Sequence, residues 1–236
     1  TRQAGVDVSQ VYATAQYPTG FYMGVLDVNG YRQFAFDDMR IMEELTESYL
    51  LYHSDLFEQA SLVFVDANLP ESSLAVAFEL ARKHHLPVCA DPTSGALALR
   101  LSPYLRQLKL ITPNSVEAGI LTGQPFDPAD RDAALEAARY LVNQGVETVF
   151  ISLAEFGVCY ATSETMGHLP ALHTNIIDPT GAGDALTAAV IFALLNEIDV
   201  DDAARLGLSA AALTLRHPGT VLPNLTLEKL YDELAL

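Results

Sequence analysis

Positive charge is scarce in this sequence: 13 Lys and Arg stand against 30 Asp and Glu, a formal net charge of −17. That imbalance argues against a general nucleic-acid binder, which would have to bring cations to phosphates against its own repulsive field. A small anionic ligand stays open, because helix N-termini and Mg²⁺ hold phosphate where net charge does not. Tryptophan is absent, and the two cysteines, Cys89 and Cys159, each sit inside an apolar, strand-like run. They read as buried thiols in a reducing, cytoplasmic compartment, with a disulfide as the alternative. No Cys/His cluster has zinc-ligand spacing. No run of 18 apolar residues occurs, so no membrane span is expected, and no signal peptide is visible. The chain opens with Thr1 rather than Met and reads as processed or cut.

What is present is a large apolar fraction. Half of the 236 residues are hydrophobic and 18% are charged, enough for a sizeable core and too apolar for a disordered chain. With no repeat, linker or charge block, the reading is one domain over 1–236.

Residues 11–36 read as extended. Phe21–Val28 and Tyr31–Phe36 flank Asn29-Gly30, the strongest short hairpin signal, since both turn residues need φ > 0. Short apolar runs then alternate with helical patterns. Ser61–Val65 ends in Asp66, Pro87–Ala90 in Asp91, Leu108–Ile111 in Thr112-Pro113-Asn114, and Glu147–Ile151 in Ser152. Helical patterns cover 70–84, 115–122, 129–144, 181–196, 200–215 and 226–235, and a hairpin runs from Gly157 to His168. This alternation implies βαβ units and a mainly parallel sheet covered on both faces. Ligands in such sheets bind beyond the strands' carboxyl ends, where Asp66, Asp91, Asn114 and Ser152 fall. The same residue types also serve as caps and turn formers. The histidines (His53, His84, His85, His168, His173, His217) fall at element ends or loops and read as surface residues.

The sharpest segment is Asp178-Pro179-Thr180-Gly181-Ala182-Gly183-Asp184, running straight into an apolar helix. Its glycines let amides approach a ligand closely, and the helix start leaves those amides unpaired with a partial positive charge. That makes an anion hole from Gly181, Ala182 and Gly183. Asp184, in the first turn, can take a proton from a hydroxyl while the amides stabilise a transferring phosphoryl group. The string is neither a Walker A loop nor a Rossmann fingerprint.

This string resembles the C-terminal signature of the PfkB-type (ribokinase-like) carbohydrate and nucleoside kinases. Thr112-Pro113-Asn114-Ser115-Val116-Glu117 resembles the family's Pro-Asn-x-x-Glu segment, which implies that Asn114 and Glu117 serve a Mg²⁺–phosphate network through water. Read alone, the pair is also a capping box in Asn form. Ser152-Leu153-Ala154-Glu155-Phe156-Gly157 resembles the nucleotide-side Thr/Ser-x-Gly-x-x-Gly loop, with Ala154 where the family has its first Gly; Ser152 and Gly157 fit. Asp178 and Thr180 resemble positions that bind a monovalent cation such as K⁺ in some relatives. The acceptor side looks most like pseudouridine kinase, on Phe36-Asp37-Asp38-Met39, Asp66-Ala67-Asn68-Leu69 and Asp91-Pro92-Thr93-Ser94. Asp37, Asp38, Asp66, Asn68 and Asp91 are the implied substrate contacts. The family's opening strand and first βαβ unit are not in this sequence.

The resemblance implies a three-layer α/β/α ribokinase-like fold with a partial β lid at 11–37. It implies ATP- and Mg²⁺-dependent transfer to a primary hydroxyl, foremost the 5′-hydroxyl of pseudouridine. The alternatives are another sugar kinase of the ribokinase or fructokinase kind, or a non-catalytic nucleotide- or nucleoside-binding fragment. The expected partner is a small nucleoside or sugar, with no nucleic acid and no membrane, and a homodimer is an open expectation.

Overall fold

In the computed structural model, residues 1–27 and 32–234 are described. Strands β1 (Phe21–Leu26) and β2 (Arg32–Asp38) form a separate antiparallel pair. The Asn29-Gly30 turn expected between them lies outside the described residues. Residues 11–20, expected to be extended, hold no regular structure. Pro18 and Gly20 interrupt that stretch, and nothing pairs its backbone into a ladder.

Short helices α1 (Glu47–Tyr52) and α2 (Ser54–Gln59) lead into the main sheet. Its strands are β3 (Val63–Asp66), β4 (Val88–Asp91), β5 (Leu108–Ile111), β6 (Thr148–Ser152), β7 (Val158–Thr162) and β8 (Met166–Leu169), paired in that spatial order. The pairs from β3 to β6 are parallel; β7 and β8 are antiparallel. The connections carry α3 (Glu71–Lys83), a 3-10 segment (Ala98–Gln107), α4 (Ser115–Thr122) and α5 (Arg131–Asn143). The chain ends with α6 (Ala182–Leu195), α7 (Val200–Leu215) and α8 (Leu227–Leu234).

Period-2 alternation divides the core. Val88, Ala90, Leu108, Ile111, Val149 and Ile151 pack with α3, α4 and α5. Cys89, Leu110 and Phe150, at the intervening positions, pack with α6, α7 and α8. The result is a three-layer α/β/α sandwich with every parallel strand short and apolar, as a sheet covered on both faces requires. The cysteines lie on opposite faces of the sheet and are free thiols; burial pushes each up to about 12. His84 and His217 are half-buried, each with one ring nitrogen, Nε2 and Nδ1 respectively, shielded from solvent and without a hydrogen-bond partner among the described residues.

Two features remain open. The outer edge of β3 has no neighbouring strand among the described residues, and Phe64 on it is exposed. One face of the β1–β2 pair, carrying Phe21, Met23, Val25, Phe34 and Phe36, is apolar and exposed. No described helix is long and apolar enough to cross a membrane.

Candidate active site

Parallel strands deliver their C-terminal residues to one rim. Asp66 and Asp91 are in register at the ends of β3 and β4, and Asn114, just beyond β5, bridges Ser152 at the end of β6. The rim is thus built by register, and four residues singled out from sequence meet there.

Each loop is locked locally. Asp66 accepts the Asn68 N–H (2.9 Å) and lies 3.4 Å from its side-chain amide, while Arg100 donates to the carbonyls of Ala67 and Leu69. Asp91 accepts the Thr93 N–H at 2.7 Å, and Thr93 in turn accepts the Ala67 N–H at 3.1 Å. Thr93 holds φ 66°, a left-handed conformation uncommon outside glycine, so this strap between the two acidic loops carries strain. Nothing in the pattern signalled Arg100.

Asn114 and Glu117 form a full capping box on α4: Asn114 Oδ1 accepts the Glu117 N–H, and Glu117 accepts the Asn114 N–H. The capping alternative is therefore what the structure contains. It leaves the Asn114 amide nitrogen, on an exposed residue, without a protein partner among the described residues. Glu117 is only 5% exposed; burial raises its carboxyl, and the Asp91 charge adds to the rise.

Ser152 donates its N–H to Pro113 at 3.0 Å and opens a tight loop closed by Leu153 N–H to Gly157 carbonyl, 2.8 Å. A Cβ on Gly157 would stand 2.0 Å from the Leu169 carbonyl, so only glycine fits. Ala154 adopts φ 51°. The backbone conformation that suits glycine is kept there although the side chain is not glycine.

The start of α6 differs from its neighbours. Helices α5 and α7 have Asp130 and Asp199 as side-chain caps. Helix α6 has Gly181 at its N-cap with φ 87° and no side-chain cap. The N–H groups of Gly181, Ala182, Gly183 and Asp184 have no protein acceptor among the described residues, and Gly183 faces open space. Asp184 is exposed rather than turned inward. Its charge reaches Asp91, whose carboxyl is raised first by burial and then by Asp184 and Asp66, against the lowering bonds from Thr93 and Thr112. Asp178 is held below the usual carboxylate range, chiefly by the Thr180 N–H, at 2.9 Å.

Asp37 and Asp38 are not joined to this rim by any hydrogen bond or ion pair among the described residues. Arg40 pairs with Asp38 at 2.5 Å and brings its carboxyl down to about 2. A groove of about 290 Å³, lined by Phe126, Arg139 and Tyr140, runs along α5 beside the α4–α5 connection and includes none of the rim residues.

Chemically, the site sets free amides and an exposed carboxylate opposite a rim of acids. No basic side chain is among the charges acting on Asp91 or Glu117. Such oxygen donors suit a hard cation. Among the described residues no three His, Cys, Asp or Glu side chains converge to cage one unaided. Mg²⁺, which takes oxygen ligands and phosphates and keeps several waters, is a hard cation of that kind.

The family description "pfkB family carbohydrate kinase" matches residues 1–227. Pseudouridine kinase of Escherichia coli is 27% identical over 228 residues, 96% of this chain and 72% of that protein. Ribokinase of Haemophilus influenzae is 28% identical over 218 residues, 92% of this chain and 69% of that protein. The structure of Arabidopsis thaliana ribokinase complexed with ribose and ATP superposes with a TM-score of 0.77 at 21% identity, covering 93% of this chain and 70% of that one.

Proposed function

The chain belongs to the pfkB family of carbohydrate kinases, a family of phosphotransferases, and on that premise we propose that it transfers the γ-phosphoryl group of ATP to a primary hydroxyl of a nucleoside or sugar. The observation that carries this reading is the exposed Asp184 carboxylate beside the unpaired amides of α6, across from the strand-end acids. Asp184 takes the hydroxyl proton, the freed oxygen attacks the γ-phosphorus, and the bond to the β-phosphate oxygen breaks to release ADP. The amides of Gly181, Ala182 and Gly183 hold the charge that gathers on the phosphoryl oxygens.

Mg²⁺ bound with the nucleotide would neutralise phosphate charge, and Asn114 and Glu117 would hold it through water. Ser152 and Gly157 shape the nucleotide side. Asp178 and Thr180 are the proposed holders of a monovalent cation such as K⁺. Asp66, Asn68 and Asp91 are the proposed acceptor contacts. Asp37 and Asp38 reach the acceptor only if the hairpin closes over the rim, which would also exclude competing water.

Pseudouridine is the preferred acceptor on the likeness of the three acidic segments. A ribokinase relative is 28% identical against 27% for pseudouridine kinase, so ribose is the competing acceptor. ADP release against pseudouridine, uridine, ribose and fructose decides between them. Asp184→Asn should lower turnover by at least ~10²-fold, since a positioned base contributes about 10²–10⁴. Near-normal turnover in that variant would refute the mechanism. A chain that binds nucleoside without forming ADP would favour the binding-fragment reading. The apolar hairpin face and the open β3 edge support a second copy as partner, and light scattering should then give twice the 25.5 kDa chain mass.

A further inference from the structure

Helix α6 is almost wholly apolar, yet it buries one hydroxyl, Thr187, only 4% exposed. A buried helical threonine ordinarily satisfies itself by donating to the carbonyl one turn back. Two threonines in this chain do so: Thr122 donates to Ala118 at 2.9 Å, and Thr214 to Ala210 at 2.8 Å. Thr187 instead donates across the fold to the hydroxyl of Thr112, just past β5, at 2.9 Å. Thr112, 7% exposed, donates to the Asp91 carboxylate at 3.2 Å. The direction of this relay is fixed by chemistry. A carboxylate only accepts, so Thr112 must spend its one proton on Asp91, and Thr187 must supply the proton to Thr112.

Thr187 lies one turn beyond Asp184, on the same side of the helix. The relay therefore runs from the helix that presents the free amides, through β5, to the carboxylate at the end of β4. It crosses between elements that hydrophobic packing alone would leave free to slide or rotate by a few tenths of an ångström. We propose that Thr187 is a positioning residue: through Thr112 and Asp91 it fixes the rotation and depth of α6 so that Asp184 faces the acceptor hydroxyl. This deepens the kinase reading and rests on it for its catalytic consequence.

The test uses Thr187→Val, which keeps the shape and removes the hydroxyl, beside Thr187→Ser, which keeps the hydroxyl. In Thr187→Val, kcat should fall ~10-fold or more, because small misplacements of a catalytic group are costly. KM for ATP should stay within about 2-fold, and Thr187→Ser should recover most of kcat. Thr112→Val should show the same loss, and the double variant should be no worse than either single one. Amide hydrogen exchange over residues 185–187, read without any ligand, should quicken by ~10-fold in Thr187→Val and stay unchanged in Thr187→Ser. An unchanged kcat in Thr187→Val overturns the proposal, and so does a Thr187→Ser variant as impaired as Thr187→Val. If the unaltered chain transfers no phosphate to any acceptor, the kinase reading fails. The exchange measurement then still judges the tether: unchanged exchange in Thr187→Val overturns it.

Discussion

Replacing Gly181 by alanine should damage this protein twice over. At φ 87° a residue with a Cβ is strained by about 1–2 kcal/mol. The added methyl would also stand 2.0 Å from the Thr220 carbonyl oxygen and 2.8 Å from its carbon, where real Cβ atoms essentially never come under 3.0 Å. Relief requires about 1 Å of movement by the 219–221 turn or the start of α6, at roughly 1–3 kcal/mol for an overpacked site. Together these give a stability loss of about 3 kcal/mol, readable as a lower urea midpoint at unchanged slope. The same displacement moves the unpaired amides, and ~1 Å of misplacement is worth about 10²-fold in rate. Gly183→Ala is the control. Its Cβ would meet nothing within 4 Å and its φ is not positive, so the helix should gain about 0.5 kcal/mol from the better helix former. A loss of activity in Gly183→Ala without loss of stability would place the ligand in front of these amides. A Gly181→Ala protein as stable and active as the unaltered one would refute the reasoning about both strain and site.

Two further expectations follow from the rim and its loops. Glu117 has its carboxyl raised by burial, so between its ordinary value of 4.5 and the raised one the folded state binds more protons than the unfolded state. That contribution to stability therefore falls as pH rises through the window. In urea titrations Glu117→Gln should gain on the unaltered protein as pH rises above about 4.5; the opposite slope refutes the assignment. Ala154→Gly releases a left-handed alanine at φ 51° and should be neutral or stabilising by up to about 1 kcal/mol, the reverse of the usual sign for that change. A loss larger than ~1 kcal/mol would mean that the alanine methyl packs usefully.

Much of the architecture was legible because its signals are local. Strands β3 to β6 announced themselves as short apolar runs ended by polar residues, and the 200–215 helix was read to the residue. The Asp178–Asp184 string carried its own chemistry, since glycine at a helix start means free amides wherever the helix lies. The segment 11–20 and the 3-10 run Ala98–Gln107 escaped, because neither has a period that local physics fixes.

What the sequence could not convey is which polar atoms are used up by neighbours. Asn114 and Glu117, which the sequence offered both as a capping box and as Mg²⁺–phosphate residues, satisfy each other, and Asp38 is taken by Arg40. Thr187 reads as one more small residue in an apolar helix until Thr112 arrives from a position 75 residues away. Residue type and spacing determine what a group can do. Only packing, which brings distant segments within hydrogen-bond range and excludes water, decides what it is left free to do.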